Sequence, residues 1–261
     1  MTLLLPPERN PASNITEAVE TYGFGGAAPL ILSCEHASNR IPPPLEASAN
    51  DEIWLNTHWG IDIGTAELTR AIVEMTGSMA VLARFSRLVC DANRHRDRDD
   101  LIRAQVEGCE LDFNRGVDEA EVTRRIETYH EPFHQVLDQV IGDRMQIDGP
   151  VMFISMHSFT PIWDRKMRTM DVGVLYNPYE ELALQVQKEL DAEGFFTAMN
   201  EPYSAAFGLM YSAERHGRKH HVQHIELEFN QALLCTPQRA RRVAKKVVRA
   251  LSRLPIWEQA S

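Results

Sequence analysis

The segment Met152–Phe159 (MFISMHSF) constrains the fold of this chain more than any other. Its continuous apolar run is typical of a strand that is buried on both faces, as central strands of parallel sheets are. The run ends at His157. Residues 29–34 (PLILSC) have the same form and lead into His36. Two buried strands that each deliver a histidine at their end predict one metal site supplied by both.

The rest of the chain alternates between strand and helix patterns. Further strands are predicted at residues 79–84, 87–91, 172–176 and 224–229, and helices at 66–75, 118–146 (broken or kinked at Pro132), 179–193 and 237–254. This alternation predicts an α/β three-layer sandwich with a mixed, mainly parallel central sheet. We expect a single domain over residues 1–261, with an irregular lead-in at 1–28 and a polar loop or lid at 95–118.

Composition excludes several classes of protein. The formal net charge of −10 argues against a nucleic-acid partner, which would normally require a basic surface. No stretch approaches the roughly 18 apolar residues that span a bilayer, so no membrane partner is expected. The four cysteines have no CxxC spacing, and we expect buried free thiols in a reducing, cytoplasmic setting.

A metal at His36 and His157 would need a third ligand. Catalytic zinc commonly takes two histidines and one carboxylate and keeps one position for water. Asp62, in HWGIDIG, is the best candidate, and Glu35 and Asn39 are weaker alternatives. Each histidine could instead be a hydrogen-bonded residue at a strand end, and Asp62 could be a helix N-cap.

Two glutamates share one face of the strand predicted at 224–229. Side chains two residues apart in a strand point to the same side, so Glu226 and Glu228 lie together. A glutamate beside a metal-bound water can act first as general base and then as general acid. The alternative is an edge strand with a charged outer face.

Candidate substrate-binding residues occur in three polar segments. ARFSRLVCDANR contains Arg84, Asn93 and Arg94, NEPYS contains Tyr203, and RHG contains Arg215. A guanidinium offers a planar fork that matches a carboxylate. The alternative for the arginines is ion pairing with neighbouring acidic residues.

The sequence HEPFH matches the zinc-protease motif HExxH at His130 and His134. That motif requires an uninterrupted helix, and Pro132 lies inside it. A metalloprotease is therefore a weakly favoured alternative. A cysteine nucleophile at Cys34 is less favoured still.

The motifs SCEHASNRIP, ARFSRLVCDANR, MHSFTP with DVGVLYN, NEPYS, and RHG with HIELEFNQAL follow one another in the order typical of one family. In these motifs the chain resembles the N-formylglutamate amidohydrolases, over about residues 29–235. That family is related to the zinc carboxypeptidases and aspartoacylases. The resemblance implies their zinc-exopeptidase-like fold and zinc-dependent hydrolysis of a small N-acyl amino acid such as N-formylglutamate.

The resemblance also implies roles for individual residues. His36, His157 and Asp62 match the positions that hold one zinc ion, and Glu228, rather than Glu226, matches the glutamate that activates water. Asn93 and Arg94 match a pair that grips a substrate carboxylate, with Arg84, Tyr203 and Arg215 as further candidates. The chain departs from the wider group at Asn39 and Asn230, where that group usually has Glu and Arg. A non-catalytic anion-binding protein on the same fold is the alternative function, and the oligomeric state is not predicted.

Overall fold

The structure is a computed structural model and describes residues 11–23, 25, 28–203 and 209–259. Within these residues the strands, in chain order, are β1 (Ala12–Ile15), β2 (Val19–Gly23), β3 (Leu30–Cys34), β4 (Met79–Ala83), β5 (Gln105–Val106), β6 (Cys109–Glu110), β7 (Met152–Phe159), β8 (Ile162–Trp163), β9 (Lys166–Met167), β10 (Val172–Leu175), β11 (Thr197–Met199) and β12 (Gln223–Asn230). The helices are α1 (Ala49–Leu55), α2 (Thr65–Thr76), α3 (Glu119–Arg125), α4 (Glu131–Met145), α5 (Glu180–Ala192), α6 (Tyr211–His220), α7 (Pro237–Leu251) and α8 (Pro255–Gln259).

One sheet has the spatial order β1-β2-β4-β3-β7-β12-β10-β11. The pairs β4–β3, β3–β7, β7–β12 and β10–β11 are parallel, whereas β1–β2, β2–β4 and β12–β10 are antiparallel. The predicted mixed, mainly parallel sheet is therefore confirmed. The two-stranded pairs β5–β6 and β8–β9 lie outside this sheet.

The strand β7 lies at the centre of the sheet and is buried along its whole length. Ile154 belongs to one apolar core and Phe153 to the other, because successive side chains of a strand point to opposite faces. Since β3 and β12 both run parallel to β7, the C-terminal ends of all three reach the same edge. In this register Glu228 pairs with His157. The strand β12 is internal, which rules out the edge-strand alternative.

Helices cover both faces of the sheet, as the three-layer prediction requires. One core contains residues of α2, α5 and α7, and the other contains residues of α4 and α6. In the first, Leu68, Val186 and Val247 are fully buried, and in the second, Phe133 and Ala213 are. Within the described residues, no helix has the length and apolar character needed to cross a membrane.

Several local predictions are wrong in whole or in part. Part of the lead-in predicted at 1–28 forms the antiparallel strands β1 and β2; residues 1–10 lie outside the described part. Residues 87–91 form a turn rather than a strand. The loop predicted at 95–118 is largely irregular, but it contains the short pair β5–β6 and the buried side chains of Leu101 and Leu111. Of the cysteines, Cys34 and Cys90 are buried, but Cys109 and Cys235 are exposed; all four are free.

The helix predicted at 118–146 is not broken at Pro132. A π-helical turn, Ile126–His130, joins α3 to α4, and Pro132 falls in the first turn of α4. The missing N–H of a proline is tolerated in a first turn. The chain therefore remains helical through Pro132, and the widened π turn precedes it.

Candidate active site

The side chains of His36, Asp62 and His157 meet at the C-terminal edge of the sheet, and we call them the inner cluster. His157 comes from β7, His36 follows β3, and Asp62 lies in the loop before α2, where its N–H donates to the carbonyl of His36. Asp62 Oδ2 lies 2.8 Å from Nδ1 of His157 and 3.3 Å from Nδ1 of His36. All three side chains are buried. Two imidazole nitrogens and a carboxylate oxygen thus converge on one point.

In each histidine, the ring nitrogen that faces away from Asp62, Nε2, contacts a carboxylate. Nε2 of His36 lies 2.7 Å from Oδ1 of Asp91. Nε2 of His157 lies 3.1 Å from Oε2 of Glu35 and 3.0 Å from Oγ of Ser155. Carboxylates in this position fix the ring and tautomer of histidines that bind metals. Both rings are therefore oriented with Nδ1 toward Asp62.

Of the alternatives for a third ligand, only Asp62 lies between the two histidines. Glu35 contacts the opposite nitrogen of His157. Asn39 donates from Nδ2 to Oδ1 of Asn56, at 2.8 Å. Asp62 is also not a helix N-cap, because α2 begins after Gly64 without a side-chain cap. The structure places the sequence-predicted trio together.

The inner cluster favours a cation. Burial alone would raise the pKa of Asp62, but His36 and His157 hold it well below its usual range. Burial alone would lower the pKa of His157, but Glu226, Asp62 and Glu35 raise it well above its usual range. Both shifts have the same cause: buried carboxylates stabilise positive charge between them.

Glu226 and Glu228 differ in their hydrogen bonding. Oε2 of Glu226 accepts from Nδ2 of Asn93 at 3.4 Å and lies 3.6 Å from Nε2 of His157. Oε2 of Glu228 is buried and has no hydrogen-bond partner among the described residues. Burial raises the pKa of Glu226 to about 7 and that of Glu228 to about 8. Glu228 is therefore the glutamate whose oxygen is free to bind a proton from another molecule.

A cavity of about 330 Å³ opens beside the inner cluster and both glutamates. Its lining includes three arginines and a group of aromatic side chains: Arg87, Arg94, Arg103, His58, Trp59, Phe159, Trp163 and Tyr203. The ring centroids of Trp59 and Trp163 lie 5.9 Å apart. The guanidinium of Arg103 lies over the ring of Trp59 at 5.6 Å. The cavity can therefore receive a small molecule with an anionic group and an apolar part.

Three of the five predicted substrate-binding residues line this cavity. The amide of Asn93 is occupied: Oδ1 accepts from the N–H of Ser212 and Nδ2 donates to the carbonyl of Leu209, both at 3.0 Å. Arg94 donates from Nε to Asp100 at 3.1 Å. Tyr203, the third, lies within 5.3 Å of the guanidinium of Arg168. Arg94 and Tyr203 are thus better placed than Asn93 to contact a substrate.

The other two predicted residues lie outside the cavity. Arg84 donates from Nη1 to the carbonyl of Thr16, beside the edge strands. Arg215 donates from Nη1 to the hydroxyl of Tyr211, at 2.8 Å on α6. Neither arginine is among the residues that line the cavity.

The sequence analysis did not assign Arg87, Asp91 or the tryptophans Trp59 and Trp163 to the site. Nη2 of Arg87 lies 3.0 Å from Asp91, and its Nη1 lies 3.5 Å from Asp62. The i, i+4 spacing of Arg87 and Asp91 was the available signal. It was obscured because residues 87–91 read as a strand. Trp59 lies three residues before Asp62, and its proximity in sequence to the predicted ligand was the only hint of its place.

The HEPFH segment does not form a protease site. Nε2 of His130 lies 2.9 Å from the carbonyl of Arg94, and Nδ1 of His134 lies 2.8 Å from Nε2 of His216. Glu131 pairs with Arg96 at the surface. Both histidines of the motif are therefore engaged with other parts of the protein.

Two histidines, an aspartate and a buried glutamate beside a cavity at the edge of an α/β sheet form an arrangement that suits hydrolytic chemistry. The model of the family "N-formylglutamate amidohydrolase" matches residues 28–235. The chain belongs to the N-formylglutamate amidohydrolase family and is an amidohydrolase.

The solved structures that are similar to this one include the following two. A gene product from Agrobacterium tumefaciens has 26% sequence identity and a TM-score of 0.82, covering 91% of this chain and 96% of its own. An N-formylglutamate amidohydrolase from Ralstonia eutropha has 19% identity and a TM-score of 0.71, covering 90% of this chain and 96% of its own. No curated protein sequence matches the chain. These similarities confirm the fold.

Proposed function

We propose that this protein is a zinc-dependent amidohydrolase that cleaves the amide bond of a small N-acyl amino acid. The observation that carries the proposal is the convergence of His36, Asp62 and His157 next to the unpaired Oε2 of Glu228 in one cavity. N-formylglutamate is one candidate substrate, in keeping with the family.

The inner cluster fits zinc by the chemistry of its donors. Two imidazole Nδ1 atoms and one carboxylate oxygen are a set found at catalytic zinc sites, and the outward nitrogens are held by Asp91 and Glu35. When bound, zinc would polarise the acyl carbonyl and lower the pKa of a bound water to about 7.

Glu228 would transfer a proton from the attacking water to the leaving amine. Its raised pKa belongs to the metal-free protein, and a nearby dication would favour the ionised carboxylate. Because Oε2 has no competing hydrogen bond, the carboxylate can accept a proton from water and return it to the leaving amine. Glu226 is held by Asn93 and would add negative charge rather than carry the proton.

The arginines and aromatic rings of the cavity would position the substrate. Arg94 and Arg103 both contact Asp100, Arg103 at 3.4 Å, which holds their guanidinium groups at the cavity wall. A substrate carboxylate there would place the scissile amide toward the inner cluster, and such positioning lowers the barrier to attack. Trp59 and Trp163 would contact the apolar part of the substrate.

Metal removal and restoration test the proposal. Chelated, dialysed protein should lose hydrolysis of N-formyl and N-acetyl amino acids, and one equivalent of Zn²⁺ at the inner cluster should restore it. A panel in which the amino acid is Glu, Asp, Leu or Phe identifies the side chain that is recognised. Binding of these compounds without turnover by zinc-loaded protein would instead establish an anion-binding protein.

A further inference from the structure

A second set of two histidines and an aspartate lies away from the cavity. His216 and His220 are four residues apart on α6, which places them on one face of the helix. Asp138 faces them from α4, with Oδ1 2.8 Å from Nδ1 of His216 and 2.9 Å from Nε2 of His220. We call Asp138, His216 and His220 the outer cluster.

We propose that the outer cluster is a second binding site for a divalent metal of the zinc type. The three donor atoms lie within 4.8 Å of one another. Two imidazoles and one carboxylate, with a position left for water, suit Zn²⁺ better than Ca²⁺ or Mg²⁺, which prefer oxygen ligands. His220 and Asp138 are each 17% exposed, so that an ion can reach the site from solvent.

The atoms that face away from the outer cluster are also held in place. Nε2 of His216 lies 2.8 Å from Nδ1 of His134, a fully buried side chain. Oδ2 of Asp138 accepts from Nζ of Lys219 at 2.8 Å. Partners of this kind orient metal ligands from outside the coordination sphere. The donors of the outer cluster are therefore pre-oriented.

A metal here would connect α4 to α6 and, through α6, to the active site. Gly217 lets α6 approach β12 closely, because a Cβ on it would lie 1.9 Å from Nδ1 of His224. In the first turn of α6 the N–H of Ser212 donates to Asn93 of the cavity. We expect the metal to stabilise this arrangement without contacting substrate.

The test is a Zn²⁺ titration of metal-free protein, followed by metal analysis after desalting. His220→Gln should bind one equivalent fewer than the wild type, lose part of the Zn²⁺-dependent rise in Tm, and retain kcat. Lys219→Gln is the matched control: it lies on the same helical turn and contacts the same carboxylate, but it removes no ligand. It should bind as many equivalents as the wild type.

Equal zinc content in His220→Gln and the wild type would overturn the proposal and leave the outer cluster as a network of hydrogen bonds. Asp138→Asn, which preserves the shape of the side chain, provides a second variant and should also bind one equivalent fewer. Because the result is a difference from the wild type, it does not depend on what the inner cluster binds. His157→Ala, which removes an inner ligand, should retain the outer equivalent.

Discussion

The inner and outer clusters have the same donors, two histidines and one aspartate, but different surroundings. In the inner cluster, both outward histidine nitrogens contact carboxylates, and two more glutamates line the adjoining cavity. In the outer cluster, a neutral histidine backs His216 and the ammonium of Lys219 contacts Asp138. No residue of the outer cluster lines the cavity. We therefore propose that similar donor sets serve catalysis in the inner cluster and structure in the outer cluster, because the charges and the space around them differ.

The pKa values of Asp62 and Asp138, the carboxylates of the two clusters, shift in the same direction. Burial alone would raise both, but the neighbouring histidines, and Lys219 at Asp138, hold both well below their usual range. The two regions differ at Glu228, whose pKa burial raises to about 8 because no donor faces its Oε2. A dication at the inner cluster would favour ionisation of this carboxyl group and would be stabilised by it. We expect the inner cluster to bind zinc more tightly.

The largest expected difference between the two regions is in catalysis. Glu228→Gln should lower kcat by about 10³-fold, within the range for loss of a general acid–base, while zinc content stays the same. Asp138→Asn, a carboxylate-to-amide change in the outer cluster, should leave kcat unchanged. Steady-state kinetics of zinc-loaded variants measure both. Full activity of Glu228→Gln would rule out its proposed role.

The next largest effect is expected on zinc affinity, when the carboxylate of Asp91, which contacts Nε2 of His36, is removed. Asp91→Asn should weaken zinc binding at the inner cluster by about 10- to 100-fold, as loss of such a partner commonly does. Competition with a chromophoric chelator measures the affinity. The corresponding change in the outer cluster is Lys219→Gln, which keeps a side-chain donor for Asp138 and removes a positive charge beside the ion, and should therefore not weaken binding. Equal affinity in Asp91→Asn and the wild type would mean that the negative surroundings of the inner cluster contribute little.

The pH dependence of stability should also separate the regions. In metal-free protein the folded state keeps a proton on Glu228 up to a pKa of about 8, whereas the unfolded state releases it near 4.5. Folded protein then binds more protons, so this group makes stability fall as pH rises from about 5 to 8. Urea unfolding with chelator present should show a steeper fall for the wild type than for Glu228→Gln. Above about pH 7, where His216 is neutral because burial lowers its pKa, Asp138→Asn should keep the slope of the wild type.

The smallest effect is expected at the rim of the cavity. Trp163→Ala removes an aromatic ring from the cavity lining and should raise KM several-fold for substrates with an apolar part, with little change in kcat. Ile162→Ala is the control, since Ile162 is also exposed on β8 but does not line the cavity. An unchanged KM for Trp163→Ala would show that the aromatic wall does not contact the substrate.

Much of the fold could be predicted because long apolar runs have few alternatives. The runs around β3 and β7 and the amphipathic helices α5 and α7 were identified from periodicity alone. The strands β1 and β2 were missed because polar and partly exposed residues carry a weak strand signal. The turn at 87–91 was mistaken for a strand because it contains apolar residues such as Val89 and Cys90. These residues are buried in the core but do not pair with a neighbouring strand.

By itself the sequence determined the buried parallel strands, the histidines at their ends, and, through ordered motifs, the pairing of His36 and His157 with Asp62. These are local patterns, and they depend on period, composition and spacing. Only the tertiary structure decided that Asp91 and Glu35 hold the two rings and that Arg87 rather than Arg84 contacts the site. It also decided that Asp138 meets a helix almost eighty residues away. Such contacts join segments far apart in the chain, and packing of the sheet and helices brings them together.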